Sequence, residues 1–190
     1  MRIGVLAMQG AYKEHINILR QLGIEAIDLR YKEEFENIEG IIIPGGESTS
    51  IGKLIKILDI YDVLKDKVLE GMPILGTCAG MIVLAKKIHN QENTHIATMD
   101  IEVIRNGYGR QLGSFNTNES VRYIGENIPM VFIRAPYIKS VGKDVEILSV
   151  VDDKIVAAKQ DNMLVTSFHP ELTNNTNVHE YFVKMIKDRQ

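Results

Sequence analysis

The sequence predicts an α/β protein, a three-layer sandwich with a mixed, mainly parallel central sheet and an antiparallel extension. Three observations carry this reading. In the first half, short β-branched runs alternate with longer amphipathic ones, the rhythm of parallel strands joined by crossover helices. In the second half, strand-like runs follow one another with only turn signals between them, the mark of antiparallel pairing. Finally, 190 residues of which 45% are hydrophobic can bury a sizeable core within the size of one domain, residues 1–190.

Residues 3–8 read as a buried strand. A helix follows over 11–22, with Ile16, Leu19 and Leu22 on one stripe and Gly23 as its stop. Residues 24–29 form a second strand and 41–43 a third, which breaks at Pro44-Gly45-Gly46 before a helix over 51–58. Residues 73–76 are the fourth strand and lead into a helix from about 79 to 87. Between 97 and 166, strand-like runs at 101–104, 130–133, 145–151, 154–159 and 163–166 are punctuated by Asp152-Asp153 and Asp161-Asn162. Val178, Phe182, Met185 and Ile186 lie in helical register at the end, and the polar stretch 174–177 should cap that last helix.

A net charge of -3, from 22 basic and 25 acidic residues spread along the chain, gives no footprint for nucleic acid or an anionic membrane. No apolar run approaches the roughly 20 residues that span a bilayer, and the N-terminus lacks signal-peptide character, so the expected compartment is the cytoplasm. A single cysteine forms no internal disulfide and no Cys/His cluster has metal-ligand spacing, so Cys78 is either a packed core thiol or a reactive one.

Its setting favours the second. Gly76-Thr77-Cys78-Ala79-Gly80 stands between an apolar strand and an amphipathic helix. Such a nucleophile elbow forces its central residue into a sharp turn, and the residues two before and two after lie too close for side chains. The helix N-terminus adds partial positive charge and free N–H groups that favour thiolate over thiol.

A thiolate needs a base, and among the five histidines one has a distinctive context: Ser167-Phe168-His169-Pro170-Glu171. In an extended segment His169 and Glu171 project to the same side, and Pro170 biases His169 away from helix. Glu171 then holds one ring nitrogen while the other faces Cys78, the nucleophile–base–orienter logic of covalent catalysis. Alone, His-Pro-Glu is as compatible with a surface turn; following a β-run and pairing with the elbow give it weight. His15 and His179 fall on predicted helices, on solvated or packed faces, and His89 and His95 in a loop.

Acyl transfer also needs oxyanion donors. Pro44-Gly45-Gly46-Glu47-Ser48-Thr49 supplies a candidate N–H at Gly46, and Ala79, just after the nucleophile, a second. The same glycines would permit a peptide flip at Gly46, with Met8-Gln9-Gly10 bordering the pocket. A plainer reading, in which Ser48 or Thr49 caps the following helix, is compatible with that role.

Taken in order, Pro44–Thr49, Gly76–Gly80 and Ser167–Leu172 resemble the class I glutamine amidotransferases. Met8-Gln9-Gly10-Ala11 with Glu14-His15, Arg105-Asn106, Gly109-Arg110-Gln111, Phe132-Ile133-Arg134-Ala135-Pro136 and Val156-Ala157-Ala158-Lys159-Gln160 extend the resemblance to the glutaminase subunits of pyridoxal 5'-phosphate synthases, over nearly the whole chain. The chain departs from that pattern at Tyr108, where Phe is usual, and at Asn116, where Glu is usual.

The resemblance implies a class I glutamine amidotransferase-like fold and hydrolysis of L-glutamine to L-glutamate and ammonia, with the ammonia passed to a barrel-shaped synthase subunit. It implies a triad of Cys78, His169 and Glu171, glutamine-binding residues Gly46, Glu47, Ser48, Arg105, Ile133 and Arg134, and neither metal nor organic cofactor. Which arginine takes the glutamine carboxylate stays open. A glutaminase serving another synthase, such as imidazole glycerol phosphate synthase, fits Gly45–Ser48 and Phe132–Pro136 less well, and an intact triad argues against a catalytically silent interaction subunit.

Overall fold

The computed structural model describes residues 1–108 and 113–189. Gly109, Arg110 and Gln111, one of the blocks that carry the resemblance, lie outside the described residues. In chain order the elements are β1 (Arg2–Leu6), α1 (Tyr12–Gln21), β2 (Glu25–Leu29), β3 (Gly40–Ile43), α2 (Ser48–Ile57), α3 (Tyr61–Leu69), β4 (Ile74–Thr77), α4 (Ala79–Leu84) and β5 (Ala85–Ile88). There follow β6 (Met99–Ile104), β7 (Ser114–Val121), β8 (Gly125–Ile133), β9 (Tyr137–Val141), β10 (Glu146–Val151), β11 (Lys154–Gln160), β12 (Met163–Thr166) and α5 (Asn177–Lys187).

Ile41, Ile42 and Ile43 are each fully buried, because a strand alternates its side chains and both faces of this one are covered. Ile41 and Ile43 pack with Ile51, Leu64 and Met81 of α2, α3 and α4, while Ile42 packs with Leu19 and Phe182 of α1 and α5. The sheet is therefore the middle of three layers. Its order is β2-β1-β3-β4-β12-β11-β9-β6-β5, with β10 paired to β11. The pairings from β2 to β12 are parallel, β10, β11 and β9 add antiparallel ones, and β5 lies parallel to β6. No helix among the described residues is long and apolar enough to cross a membrane.

Several expected elements differ. The helix expected over 79–87 ends at Leu84, and Ala85–Ile88 turns into a strand beside β6; the apolar run fits either state, and pairing decides. The run at 130–133 belongs not to the main sheet but to a separate β7–β8 ribbon, whose buried Ile128, Met130 and Phe132 face the α1–α5 side. Helix α2 begins at Ser48 rather than 51, because Glu47 caps it by accepting the N–H groups of Thr49 (2.9 Å) and Ser50 (2.7 Å). The stretch before α5 serves its first turn through Asn175, whose side-chain oxygen accepts the Asn177 N–H at 3.0 Å.

A candidate active site at the carboxyl ends of the parallel strands

Strand β4 ends at Thr77, and Cys78 adopts φ 48° and ψ -100° before α4 begins at Ala79. That conformation is sparsely populated for any residue with a side chain, and it is held from several sides. The Cys78 N–H donates to Thr166 O of β12 at 2.8 Å, continuing the sheet's ladder by one bond. A Cβ at Gly80 would stand 2.1 Å from Ile43 O, and one at Gly76 2.8 Å from Gly80 O, so neither flank tolerates a side chain. Cys78 is buried against the cleft floor with 5% of its surface exposed.

His169 follows β12 at the neighbouring strand end, its N–H donating to Val131 O of β8 at 2.8 Å. The expected extended His-Pro-Glu segment is instead a 3₁₀ turn over Pro170–Leu172, since the fixed φ of proline suits the first position of such a turn. The pairing of side chains survives: His169 Nδ1 lies 2.7 Å from Glu171 Oε1. Burial pushes the His169 pKa down, but hydrogen bonds to Cys78 and Glu171 and the charge of both more than reverse this and hold it at about 10. The ring is thus an imidazolium near neutrality, stabilised by the Glu171 carboxylate on one side and the Cys78 sulfur on the other.

The glycine turn after β3 is clamped by the loop after β1. Gly45 O accepts the Ala11 N–H at 3.1 Å, and Gln9 Oε1 accepts the Glu47 N–H at 2.8 Å. Because the peptide is trans, the Gly46 N–H points opposite to the Gly45 carbonyl, so the Ala11 bond fixes its direction. Cβ atoms at Gly10 and Gly46 would lie 1.8 Å from Gly45 O and 2.3 Å from Gln9 Oε1. Ala79, as first residue of α4, has an N–H with no partner inside the helix.

These groups share one cleft of about 460 Å³, lined by Gln9, Gly10, Gly45, Gly46, Glu47, Ser48, Cys78, Ala79, Arg105, Ile133, Arg134 and His169 among others. Glu171 stands behind His169, outside the lining. Arg105 reaches in from the end of β6 and is paired, with Nη2 3.0 Å from Glu47 Oε1 and Nη1 3.3 Å from Thr49 Oγ1. Arg134, at φ 45°, follows β8, and the Ser48 hydroxyl is buried with no hydrogen-bond partner among the described residues. Met8 is not in this lining but in a neighbouring depression with Tyr12, Arg30, Leu54 and Leu58. A larger hollow of about 590 Å³ beside α5 contains none of the expected site residues. No group of three or more His, Cys, Asp or Glu among the described residues could hold a metal ion.

The model of the SNO glutamine amidotransferase family matches residues 5–188. The chain belongs to this family. Its relatives include the pyridoxal 5'-phosphate synthase subunit PdxT of Streptococcus pneumoniae (strain CGSP14), 51% identical over all of both chains. PdxT of Haemophilus influenzae (strain PittEE) is 53% identical over 98% of this chain and 99% of its own. A crystal structure of a glutamine amidotransferase superposes with a TM-score of 0.93 at 42% identity, covering 97% of this chain and 98% of that one.

Two histidines were placed by the sequence only on solvated or packed helix faces, and their contact with this SNO-family site was not foreseen. His15 and His179 are helical, as expected, and of the two alternatives take the packed one: both are fully buried and in contact with each other. No spacing signal links residues 164 positions apart.

Proposed function

We propose that this chain is the glutaminase subunit of a pyridoxal 5'-phosphate synthase, a single glutaminase domain over 1–190 that hydrolyses L-glutamine to L-glutamate and ammonia through Cys78, His169 and Glu171. The observation that carries this reading is a buried thiol at a strained strand end, hydrogen-bonded to a histidine whose Nδ1 is held by a carboxylate, in a chain about half identical to PdxT proteins over its full length.

The Cys78 thiolate attacks the side-chain amide carbon of glutamine, forming the C–S bond while the carbonyl oxygen takes the negative charge beside the N–H groups of Gly46 and Ala79. His169 gives a proton from Nε2 to the nitrogen as the C–N bond breaks, releasing ammonia and leaving a thioester. Water then adds to the thioester, His169 takes its proton, and the thiolate leaves with glutamate formed. Glu171 holds Nδ1 throughout, so Nε2 stays directed at the reacting atoms.

Gly46, Glu47, Ser48, Arg105, Ile133 and Arg134 form the substrate-binding wall in this reading. The unpartnered Ser48 hydroxyl and the two arginines suit the polar groups of a free amino acid, and a guanidinium binds a carboxylate through both oxygens. Ammonium is not nucleophilic, so the product travels as neutral ammonia to the docked synthase subunit, read from the motif resemblance as barrel-shaped. One cysteine and no internal disulfide suit a cytoplasmic enzyme. Ammonia release from glutamine, measured for the chain with and without a pyridoxal 5'-phosphate synthase subunit, tests the reading; no release in either condition overturns it.

A further inference from the structure

Hydrolysis by the triad leaves unused a buried polar cluster on the Oε2 side of Glu171. His15 of α1 and His179 of α5 are both 0% exposed, and His15 Nδ1 lies 2.8 Å from His179 Nε2. On the other edge of its ring, His15 Nε2 lies 3.2 Å from Thr77 Oγ1 and 3.4 Å from Glu171 Oε2. Thr77 is the residue before the nucleophile. One imidazole therefore touches both the strand end that carries Cys78 and the carboxylate that holds its base.

The contact with Glu171 Oε2 is at ion-pair distance but outside hydrogen-bond geometry, and that oxygen has no hydrogen-bond partner among the described residues. Buried carboxylate oxygens are rarely left so, and active-site hydrogen bonds commonly tighten when substrate binds. The proton inventory of the two rings fixes which way this pair is wired. With protons on Nε2 of both, His179 donates to His15 Nδ1, His15 Nε2–H faces the carboxylate and the threonine hydroxyl, and the orphan on the histidines is the lone pair of His179 Nδ1. The reverse wiring sets a His15 lone pair against the Glu171 carboxylate and strands a buried N–H at His179 Nδ1, the costlier kind of orphan.

We propose that His15 is a positioning residue for the triad: a neutral Nε2–H donor that anchors the second oxygen of Glu171 together with Thr77, locked in that tautomer by His179. The inference rests on the hydrolytic reading of Cys78, His169 and Glu171. Neutrality is part of the design, because a cation here would satisfy the carboxylate and weaken its hold on the His169 imidazolium. Burial first, and then the coupling to His179 and to the His169 imidazolium, keep the His15 pKa well below its ordinary value, while burial takes His179 to about 4, so both rings are neutral together.

The test uses the full chain with its synthase subunit. His15→Met fills the space without a donor, and His15→Gln returns an N–H near the place of Nε2. His15→Met is expected to lower kcat for glutamine roughly ten- to a hundredfold with KM little changed, since it loosens the base rather than the substrate, and His15→Gln to recover most of the loss. Equal kcat in His15→Met and wild type, or no recovery in a folded His15→Gln, overturns the proposal. Long-range ¹H–¹⁵N spectra of the unmodified protein provide a readout independent of any variant's folding: a neutral His15 protonated on Nε2 supports the assignment, and an Nδ1–H tautomer or an imidazolium overturns it. Cys78→Ala run alongside separates the two readings, because residual glutaminase activity there would mean that the triad itself is misassigned.

Discussion

The imidazole of His169 lies close against the backbone of Gly45: a Cβ there would stand 2.3 Å from Cε1 and 2.8 Å from Nδ1. In the proposed mechanism the glycine turn thus serves the base as well as the oxyanion. Gly45→Ala is expected to push the ring out of line and lower kcat for glutamine about a hundredfold, although no charge or hydrogen-bonding group changes. Steady-state ammonia release checks this, and a kcat within about twofold of wild type would show that the ring has room to move.

Cys78→Ala is expected to abolish hydrolysis while leaving the fold intact. Cys78→Gly should be equally inactive yet more stable than Cys78→Ala. Relief of a φ of 48° and ψ of -100° is worth about 1–3 kcal/mol, against about 0.5–1 kcal/mol for the extra freedom of glycine in the unfolded chain. Denaturant midpoints of the two variants measure the difference, and a less stable glycine variant would mean that the elbow is not strained.

His169→Asn should be nearly as damaging as loss of the nucleophile, and Glu171→Gln less so, since orienting a base matters less than having one. Stability carries the same signature. Because the folded His169 pKa is raised from 6.5 to about 10, its contribution is complete below pH 6.5 and is lost as pH rises through 10. The stability gap between wild type and Glu171→Gln should therefore shrink over that window, as read from urea unfolding at stepped pH.

Glu47 caps α2, and its carboxyl is held at about 2: burial works against this, but hydrogen bonds from Thr49 and Ser50 prevail. A depressed carboxylate contributes stability above pH 4.5 that is lost as pH falls towards 2. Glu47→Gln should destabilise the protein by less than about 1 kcal/mol at neutral pH, given the group's exposure, and by nothing measurable near pH 2. Melting curves at the two pH values decide it.

Hydrolysis by the isolated chain is expected to be weak and to rise once the synthase binds. The bond from the Ala11 N–H to Gly45 O sets which way the Gly46 N–H points, so a partner that displaces the loop after β1 can turn that donor towards or away from the oxyanion. One such donor is worth roughly 3–4 kcal/mol, or about 100- to 1000-fold in rate. Titration of the chain with the synthase, followed by ammonia release, measures the rise; full turnover without the partner would exclude the switch.

Much of this was legible in the sequence because it is local. The β3 isoleucines, the glycines flanking Cys78 and the Pro73–Gly80 strand-to-helix transition each report their own surroundings. What escaped was set by partners far along the chain. Ala85–Ile88 becomes a strand only because β6 lies beside it, Met130–Ile133 joins β7 rather than the main sheet, and His15 meets His179 and Glu171 only in the folded molecule. Helix α3 carried a readable signal, since Ile60, Leu64 and Val68 recur at helical spacing and are buried.

The buried position of Cys78, the sole thiol among 190 residues, bears on how the protein meets peroxide. An oxidised nucleophile normally escapes further damage by condensing with a neighbouring cysteine, and this chain has none to offer. A disulfide that protects a sulfenic acid at Cys78 would need a thiol from outside this chain, small enough to enter the cleft. Further oxidation to the sulfinic acid would remove the proposed nucleophile irreversibly.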